Sequence, residues 1–274
     1  RRVGHGGTLD PMATGLVPVA VGDATRLLEF FSDSDKAYLA TMRLGETTDS
    51  QDADGVVVAT ADWQGISQED VAAVIHGMAG PIEQVPPMYS ALKKNGVPLY
   101  KLARKGLEVD RQARSIVVRS IKMTRCELPE VVFDVVCSKG TYVRTLAHDI
   151  GQKLGCGAHL TALRRYRHGP YNIDKSVTMD DFEAADDARG LMIPLLDILS
   201  GFPLLQLQGE AVKRLMDGVP PQATELEFPE DLAAGQFVRF TDGEKLLAVA
   251  AYAPVREKEK RGDFELSRVF TLGQ

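Results

Sequence analysis

The chain has 274 residues, of which 44% are hydrophobic and 26% charged, and its net charge is −6. These proportions are typical of a globular protein with room for one large domain and a small one. No run approaches the roughly eighteen apolar residues of a membrane span, and no signal-peptide pattern opens the chain. The three cysteines, an odd number at spacings unlike a zinc site, favour a reducing compartment, so we expect a cytoplasmic protein without a membrane partner.

Charge is unevenly distributed along the chain. Residues 46–85 carry eight acids and no Lys or Arg, residues 86–125 carry ten Lys or Arg against two acids, and residues 139–168 carry six against one. Local fields steer a polyanion more than the net charge does. One basic block alone is typical of a solvated face. Two blocks, the first interleaved with Tyr89 and Tyr100, favour RNA, because aromatic rings stack on splayed bases.

The most distinctive stretch lies near the start of the chain, where residues 4–15 read GHGGTLDPMATG. Glycine permits backbone angles that are closed to other residues, and Pro11 disfavours helical geometry at Asp10. The stretch therefore predicts a carboxylate presented on a tight, non-helical connection. Such a group can act as nucleophile, general base or metal ligand. The plainer alternative is a carboxylate that only forms a turn.

The next predicted elements alternate between helix, strand and loop. Residues 24–31 are predicted as a short helix, and residues 36–44 as a strand that places Tyr38 among apolar neighbours. Residues 47–55 are interpreted as an acidic surface turn, because they lack the Glu that an EF-hand calcium loop requires. A capping box at residues 67–70 predicts the start of the next helix.

From residue 86 onward the pattern becomes irregular before it returns to regular elements. Residues 86–111 contain Pro-Pro and Asn-Gly breakers, which predict a loop-helix excursion from the main body. Near residue 202 the sequence pattern changes to that of short strands joined by turns, and we predict a domain boundary there. The further predicted elements are paired strands at 115–125 and 131–137, an amphipathic helix at 142–154, helices at 178–185 and 191–198, and strands at 237–240 and 246–251.

Tyr142 and Arg144 are further candidate functional residues. They lie two residues apart and share one face of an extended lead-in to the predicted helix. An arginine there can orient a carboxylate and keep it ionised. Its position at a helix N-terminus is unfavourable for a cation, which indicates a specific partner, although a solvent-facing arginine is the alternative. No second acid lies near Asp10 in sequence, so a glycosidase-like carboxylate pair is not predicted.

Two further features leave alternatives open. Residues 163–168 read LRRYRH, and phosphate contact and a solvated helix end are equally good interpretations of this basic run. Tyr38 lies on an apolar strand face, which is more typical of core packing than of catalysis.

Five motifs together resemble those of the bacterial tRNA pseudouridine-55 synthases, the TruB family. Each alone is weak, but they follow the family order and together they are specific. Beside the glycine-rich stretch, the resembling segments are residues 28–49 for the second motif, 87–100 for the tRNA-clasping insertion, 137–145 for the third motif and 154–165 for the fourth.

The resemblance implies a role for each matching residue. Asp10 would be the nucleophile, Tyr38 would stack on the target uracil and take a proton from the sugar, and Arg144 would pair with Asp10. No metal and no cofactor are implied. The implied substrate-binding residues are Tyr142 and Leu163 in the base pocket, His5 beside the flipped nucleotides, and Lys139 and Arg164.

The resemblance also implies the fold. It predicts an α+β catalytic domain at 1–202, with a mixed, largely antiparallel sheet flanked by helices and an RNA-clasping insertion at about 86–111. A small PUA-like β-barrel, an RNA-binding domain, is predicted at 203–274. The family carries a further segment upstream of the Gly-His motif, with a Lys-Pro and a Thr-Ser element, whereas only three residues precede that motif in this sequence.

The implied function is conversion of uridine 55 in the tRNA T loop to pseudouridine by a monomer that flips out the base. Attack on C1′, attack on C6 and deprotonation of the sugar all remain open. One rival is an RNA-binding module whose basic blocks matter more than Asp10. Another is a carbohydrate-active enzyme, which would need a second carboxylate near Asp10.

Overall fold

The computed structural model describes residues 2–227, 232–255 and 262–270. By their contacts these residues divide into two compact units. The larger unit comprises residues 5–19 and 31–176, and the smaller comprises the described residues among 1–4, 20–30 and 177–274. The predicted domain boundary at residue 202 remains a prediction. Part of the predicted domain 203–274 lies outside the described residues.

Seventeen strands and six α-helices occur among the described residues, joined by turns and short 3₁₀ helices. The strands are β1 (Val3–His5), β2 (Thr14–Gly15), β3 (Val19–Val21), β4 (Lys36–Leu44), β5 (Glu46–Thr48), β6 (Val57–Thr60), β7 (Gly80–Gln84), β8 (Lys93–Lys94), β9 (Val97–Pro98), β10 (Arg114–Glu127), β11 (Glu130–Cys137), β12 (Ala158–His168), β13 (Tyr171–Asn172), β14 (Leu204–Gln206), β15 (Phe237–Thr241), β16 (Leu246–Tyr252) and β17 (Phe264–Val269). The helices are α1 (Leu28–Ser32), α2 (Gln68–His76), α3 (Leu99–Ala103), α4 (Val143–Leu154), α5 (Met179–Ala184) and α6 (Glu210–Met216).

The larger unit is built on a seven-stranded sheet in the order β13-β12-β4-β11-β10-β7, with β2 added parallel to β12. The other pairings in this sheet are antiparallel. Helices α2 and α4 contribute apolar side chains to one core with the inner face of the sheet. The predicted α+β class and the mixed, largely antiparallel sheet are therefore confirmed.

Local sequence explains how these elements form. In β4, Tyr38, Ala40 and Met42 are buried, whereas Leu39 on the other face is 42% exposed, so the predicted period of two is confirmed. The predicted capping box begins α2, where the Ser67 hydroxyl accepts from the backbone N–H of Asp70. Helix α4 ends at a left-handed glycine, as many helices do.

The smaller unit contains a four-stranded sheet in the order β14-β15-β16-β17. Helix α6 packs on this sheet, and Phe240 and Phe264 form an edge-to-face pair in its core. Within the described residues the four strands form an open path, so the expected barrel is corrected to an open sheet. The helix predicted at 191–198 is also wrong, because its described residues form only short 3₁₀ turns at Ala188–Leu191 and Leu195–Asp197.

The RNA-clasping insertion predicted at 86–111 contains a short hairpin of β8 and β9 followed by α3. This matches the expected loop-helix excursion. None of the helices in the described part of the chain is long and apolar enough to span a bilayer.

Candidate active site

Asp10 lies in a tight turn between β1 and β2. Its backbone carbonyl accepts from the N–H of Ala13 at 2.9 Å, which closes the turn around Pro11. The neighbouring residues Leu9 and Met12 pack against the core of the larger unit and anchor the turn on both sides of the carboxylate. The structure therefore presents Asp10 on the non-helical connection that the sequence predicted.

Arg144 lies against Asp10. Its Nη2 donates to Asp10 Oδ1 at 2.8 Å, and its side chain is only 6% exposed, whereas that of Asp10 is 29% exposed. Arg144 is the second residue of α4, where the positive end of the helix dipole disfavours a cation. The Asp10 carboxylate is the specific partner that the position of Arg144 at the helix N-terminus indicated. The guanidinium also lies over the Tyr142 ring, 5.9 Å from its centroid.

A second carboxylate, which the sequence did not predict, completes the arrangement. Asp52 Oδ2 accepts from Arg144 Nη1 at 3.1 Å, and its side chain is 4% exposed. A second acid therefore lies near Asp10 in the fold, although none lies near it in sequence. Arg144 bridges two carboxylates from distant parts of the chain, one on each terminal nitrogen.

The acidic segment 47–55 is a structured support rather than a surface turn, which corrects its interpretation. The Thr48 hydroxyl donates to the carbonyl of Asp52 at 2.7 Å, and the Ser50 hydroxyl donates to Asp52 Oδ1 at 2.5 Å. Thr145 of α4 donates to Gln51 Oε1 at 2.6 Å. These bonds hold Asp52 in place as a fixed acceptor for Arg144.

The ionisation of Asp10 is set by opposing effects. Burial raises the pKa of this carboxyl, Arg144 lowers it, and the negative charge of Asp52 raises it further. The net result is a raised pKa, so burial outweighs the arginine. The expectation that Arg144 favours the anion is right in direction, but Arg144 does not bring the pKa below its ordinary value.

Tyr38 lies on β4, directly opposite Arg165 of β12 in the antiparallel pairing. Burial raises the pKa of its phenol to about 12, and the charge of Asp10 also contributes in this direction. The ring is thus within electrostatic reach of Asp10, and the phenol is protonated at neutral pH. Leu163 lies two residues before Arg165 in β12 and is buried in the same core.

Tyr142 is held at the start of α4 by Gln84 of β7. The Gln84 side chain donates to the carbonyl of Tyr142 at 3.1 Å and accepts from its N–H at 2.8 Å. Burial raises the pKa of the Tyr142 phenol, and the charge of Asp10 adds a smaller rise. Five predicted site residues are therefore connected by a hydrogen bond, a ring contact, charge or a shared core: Asp10, Tyr38, Tyr142, Arg144 and Leu163.

The remaining three predicted site residues lie at exposed positions. His5 ends β1, and Lys139 forms an exposed ion pair with Asp33 at 2.6 Å. Arg164 alternates with buried Leu163 and Arg165 in β12, so its side chain is on the face of the sheet away from Tyr38. The structure does not bring these three to the Asp10 carboxylate.

The run at residues 163–168 belongs to strand β12, so the helix-end interpretation is wrong. Arg165 is 1% exposed and bonds to backbone carbonyls, so it is not solvated. The strand periodicity of residues 163–168 is not visible in the sequence, because basic residues lie on both faces of the strand. Across the described residues, no group of three or more His, Cys, Asp or Glu side chains is arranged to hold a metal ion.

Comparison with known proteins gives matches across most of the chain. A family model described as TruB family pseudouridylate synthase, N-terminal domain, matches residues 1–143, and one described as tRNA pseudouridylate synthase B C-terminal domain matches residues 144–197. The tRNA pseudouridine synthase B of Syntrophotalea carbinolica is 50% identical over 275 residues, covering 100% of this chain and 90% of that protein. The one from Geotalea uraniireducens is 43% identical and covers 99% of this chain and 89% of that protein.

A similar solved structure is found in a crystal structure of a Cbf5-Nop10-Gar1 complex. It matches with a TM-score of 0.74 at 26% identity, over 99% of this chain and 77% of the other. The likeness supports the pseudouridine synthase fold, and the four-stranded C-terminal sheet fits a small PUA-like domain.

Proposed function

The chain belongs to the TruB family of pseudouridylate synthases, and on this premise we propose that it converts uridine 55 in the T loop of tRNA to pseudouridine. It is a tRNA pseudouridine synthase, an isomerase, as its curated relatives are. The observation that carries the finer proposal is the carboxylate of Asp10 held by Arg144 in the glycine-rich turn. We further propose that the enzyme acts as a cytoplasmic monomer on the T stem-loop.

The reaction is an isomerisation in which the glycosidic bond moves from N1 to C5 of the uracil. The N1–C1′ bond breaks, the base turns, and a C5–C1′ bond forms. C5 loses its proton and N1 gains one, so no group is added and nothing is oxidised. Because the bonds lie inside a folded loop, the uridine must first be flipped out of its stack.

In this proposal Asp10 is the reacting group. As a carboxylate it can attack C1′ or C6 as a nucleophile or take a proton from the sugar. Arg144 orients it through the 2.8 Å hydrogen bond and opposes the effect of burial on its pKa. Asp52 in turn holds Arg144 at 3.1 Å, so the guanidinium keeps its orientation while the carboxylate reacts.

The base would be held between Tyr38, Tyr142 and Leu163. A stacked ring suits Tyr38, since every base offers a π face to an aromatic side chain. Its pKa of about 12 leaves little phenolate at neutral pH. Proton removal from the sugar by Tyr38 is therefore the less favourable of its two expected roles.

The RNA footprint would lie at the exposed basic residues. His5 would help hold the flipped nucleotides, and Lys139 and Arg164 would contact phosphates. Lys139 is paired with Asp33, so a phosphate would have to compete with that carboxylate for the ammonium.

Nucleoside analysis of an unmodified tRNA transcript after incubation with the protein tests the proposal. We expect one pseudouridine per tRNA, and none in a transcript in which uridine 55 is replaced by cytidine. Reversible binding without any new nucleoside would indicate an RNA-binding module instead. Pseudouridine at another position would contradict the T-loop assignment alone.

A further inference from the structure

Arg165 is among the largest fully buried side chains of the described residues, at 1% exposed. Its Nε donates to the carbonyl of Leu16 at 2.7 Å, and its Nη2 donates to the carbonyl of Gly7 at 3.0 Å. Gly7 precedes Asp10 by three residues and Leu16 follows it by six. One guanidinium therefore binds both ends of the loop that carries Asp10.

The backbone of Arg165 reinforces this attachment. Its carbonyl accepts from the N–H of Leu16 at 2.8 Å, and Arg165 pairs with Gly15 in the parallel ladder of β2 and β12. The approach at Gly15 is so close that a Cβ there would lie 2.2 Å from the carbonyl oxygen of Arg165, and its φ is +105°. The end of the loop is thus fixed on β12 by both backbone and side chain.

The choice of arginine is informative, because burying a cation is costly unless it is well compensated. The hydrogen bonds of Arg165 go to neutral groups, the carbonyls of Leu16 and Gly7 and the phenol of Tyr38, and these compensate its charge less than a carboxylate would. The planar guanidinium of arginine carries several donors and can bind two carbonyls at once, whereas the ammonium of lysine is a compact point charge on a flexible side chain. These features suit Arg165 to fixing two backbone segments in one geometry.

Arg165 also lies opposite Tyr38, the ring proposed to stack on the uracil. It is the direct cross-strand neighbour of Tyr38, and its charge lowers the pKa of that phenol against the larger effect of burial. The same side chain therefore touches the loop of Asp10 and the ring proposed to stack on the uracil.

We propose that Arg165 is a positioning residue, whose guanidinium fixes the loop 7–16 and so sets the distance between the Asp10 carboxylate and the base against Tyr38. This inference rests on the proposed function, because the distance matters only if Asp10 reacts. A misplacement of about 1 Å in a reacting group lowers a rate by roughly 100-fold.

The test compares Arg165→Lys with Arg43→Lys, a matched change at a partly exposed arginine of neighbouring β4. Single-turnover rate, tRNA affinity and thermal unfolding are measured for both. We expect Arg165→Lys to lower the rate by about 100-fold while tRNA affinity changes by less than about threefold. Arg43→Lys should match the wild type in all three measurements.

Arg165→Gln is a second variant, since an uncharged amide avoids a buried ammonium and can still donate to one carbonyl. A folded Lys or Gln variant that reacts at the wild-type rate overturns the inference. Loss of tRNA affinity at an unchanged rate also overturns it, because Arg165 would then serve binding. Failure of both variants to fold overturns it as well, because Arg165 would then serve folding. An inactive wild type would instead contradict the proposed function.

Discussion

Replacing Asp52 by Asn tests how far the second carboxylate supports the first. The side chains of Arg144 and Asp52 are 6% and 4% exposed, so water screens their interaction little. Removing one partner of such a buried pair costs about 3–5 kcal/mol, but Asn keeps an acceptor oxygen for Nη1. We therefore expect a smaller loss, about 2–3 kcal/mol, within the range of about 1.5–3 kcal/mol that a hydrogen bond to a charged group contributes.

Thermal unfolding measures this loss directly. For a unit of this size, about 2–3 kcal/mol corresponds to a fall in Tm of about 4–12 °C. Asp54→Asn is the matched control, because Asp54 is an exposed acid two residues away. Its substitution should stay within about 0.5 kcal/mol of the wild type. Equal Tm values for the two variants would refute the structural role assigned to Asp52.

The same variant has a second, kinetic consequence. The charge of Asp52 raises the pKa of Asp10, so its removal lowers that pKa. The acid limb of the rate profile, measured by tritium release in a series of acidic to neutral buffers, should therefore move to lower pH in Asp52→Asn. A shift to higher pH would show that the loss of Arg144 orientation dominates over the loss of charge.

Two further variants address the sheet beside the site. Tyr38→Phe removes the hydroxyl and keeps the stacking ring. Because stacking is the role proposed for Tyr38, we expect the single-turnover rate to fall by less than about tenfold. A loss of about 100-fold or more would assign a proton-transfer role to the hydroxyl. His168 is fully buried and burial lowers its pKa to about 4, whereas the unfolded chain titrates near about 6.5. The unfolded state therefore binds more protons between these values, and stability should fall by about 3 kcal/mol as pH drops through this window. In urea unfolding, His168→Gln should lose the part of this fall that occurs between about pH 7, above the window, and about pH 5, inside it. A pH difference equal to that of the wild type would contradict the assignment.

The sequence predicts the local parts of the site well because their signals are local. The density of glycine and proline around Asp10 gives the turn, and the apolar alternation of β4 places Tyr38 on the inner face. Arg144 at a helix N-terminus signals a missing acid, and Asp10 is bonded to it. Each of these inferences needs only a few neighbouring residues.

What the sequence does not predict depends on contacts between distant segments. Asp52 lies 92 residues before Arg144, and nothing in its acidic surroundings distinguishes it from its exposed neighbours. The usable signal was the misfit of Arg144 combined with an acidic stretch that holds no basic residue. Arg165 was obscured in the same way, since only strand pairing reveals that it is buried and Arg164 is not.

The most direct test of the central claim is tritium release from tRNA labelled at C5 of uridine, with wild type and Asp10→Asn compared in single turnover. Asn preserves the size of the side chain and an acceptor for Arg144 but removes the reacting carboxylate. The account predicts release of the tritium at position 55 by the wild type and none above background by Asp10→Asn, with tRNA affinity retained. Release by Asp10→Asn at the wild-type rate would contradict the account.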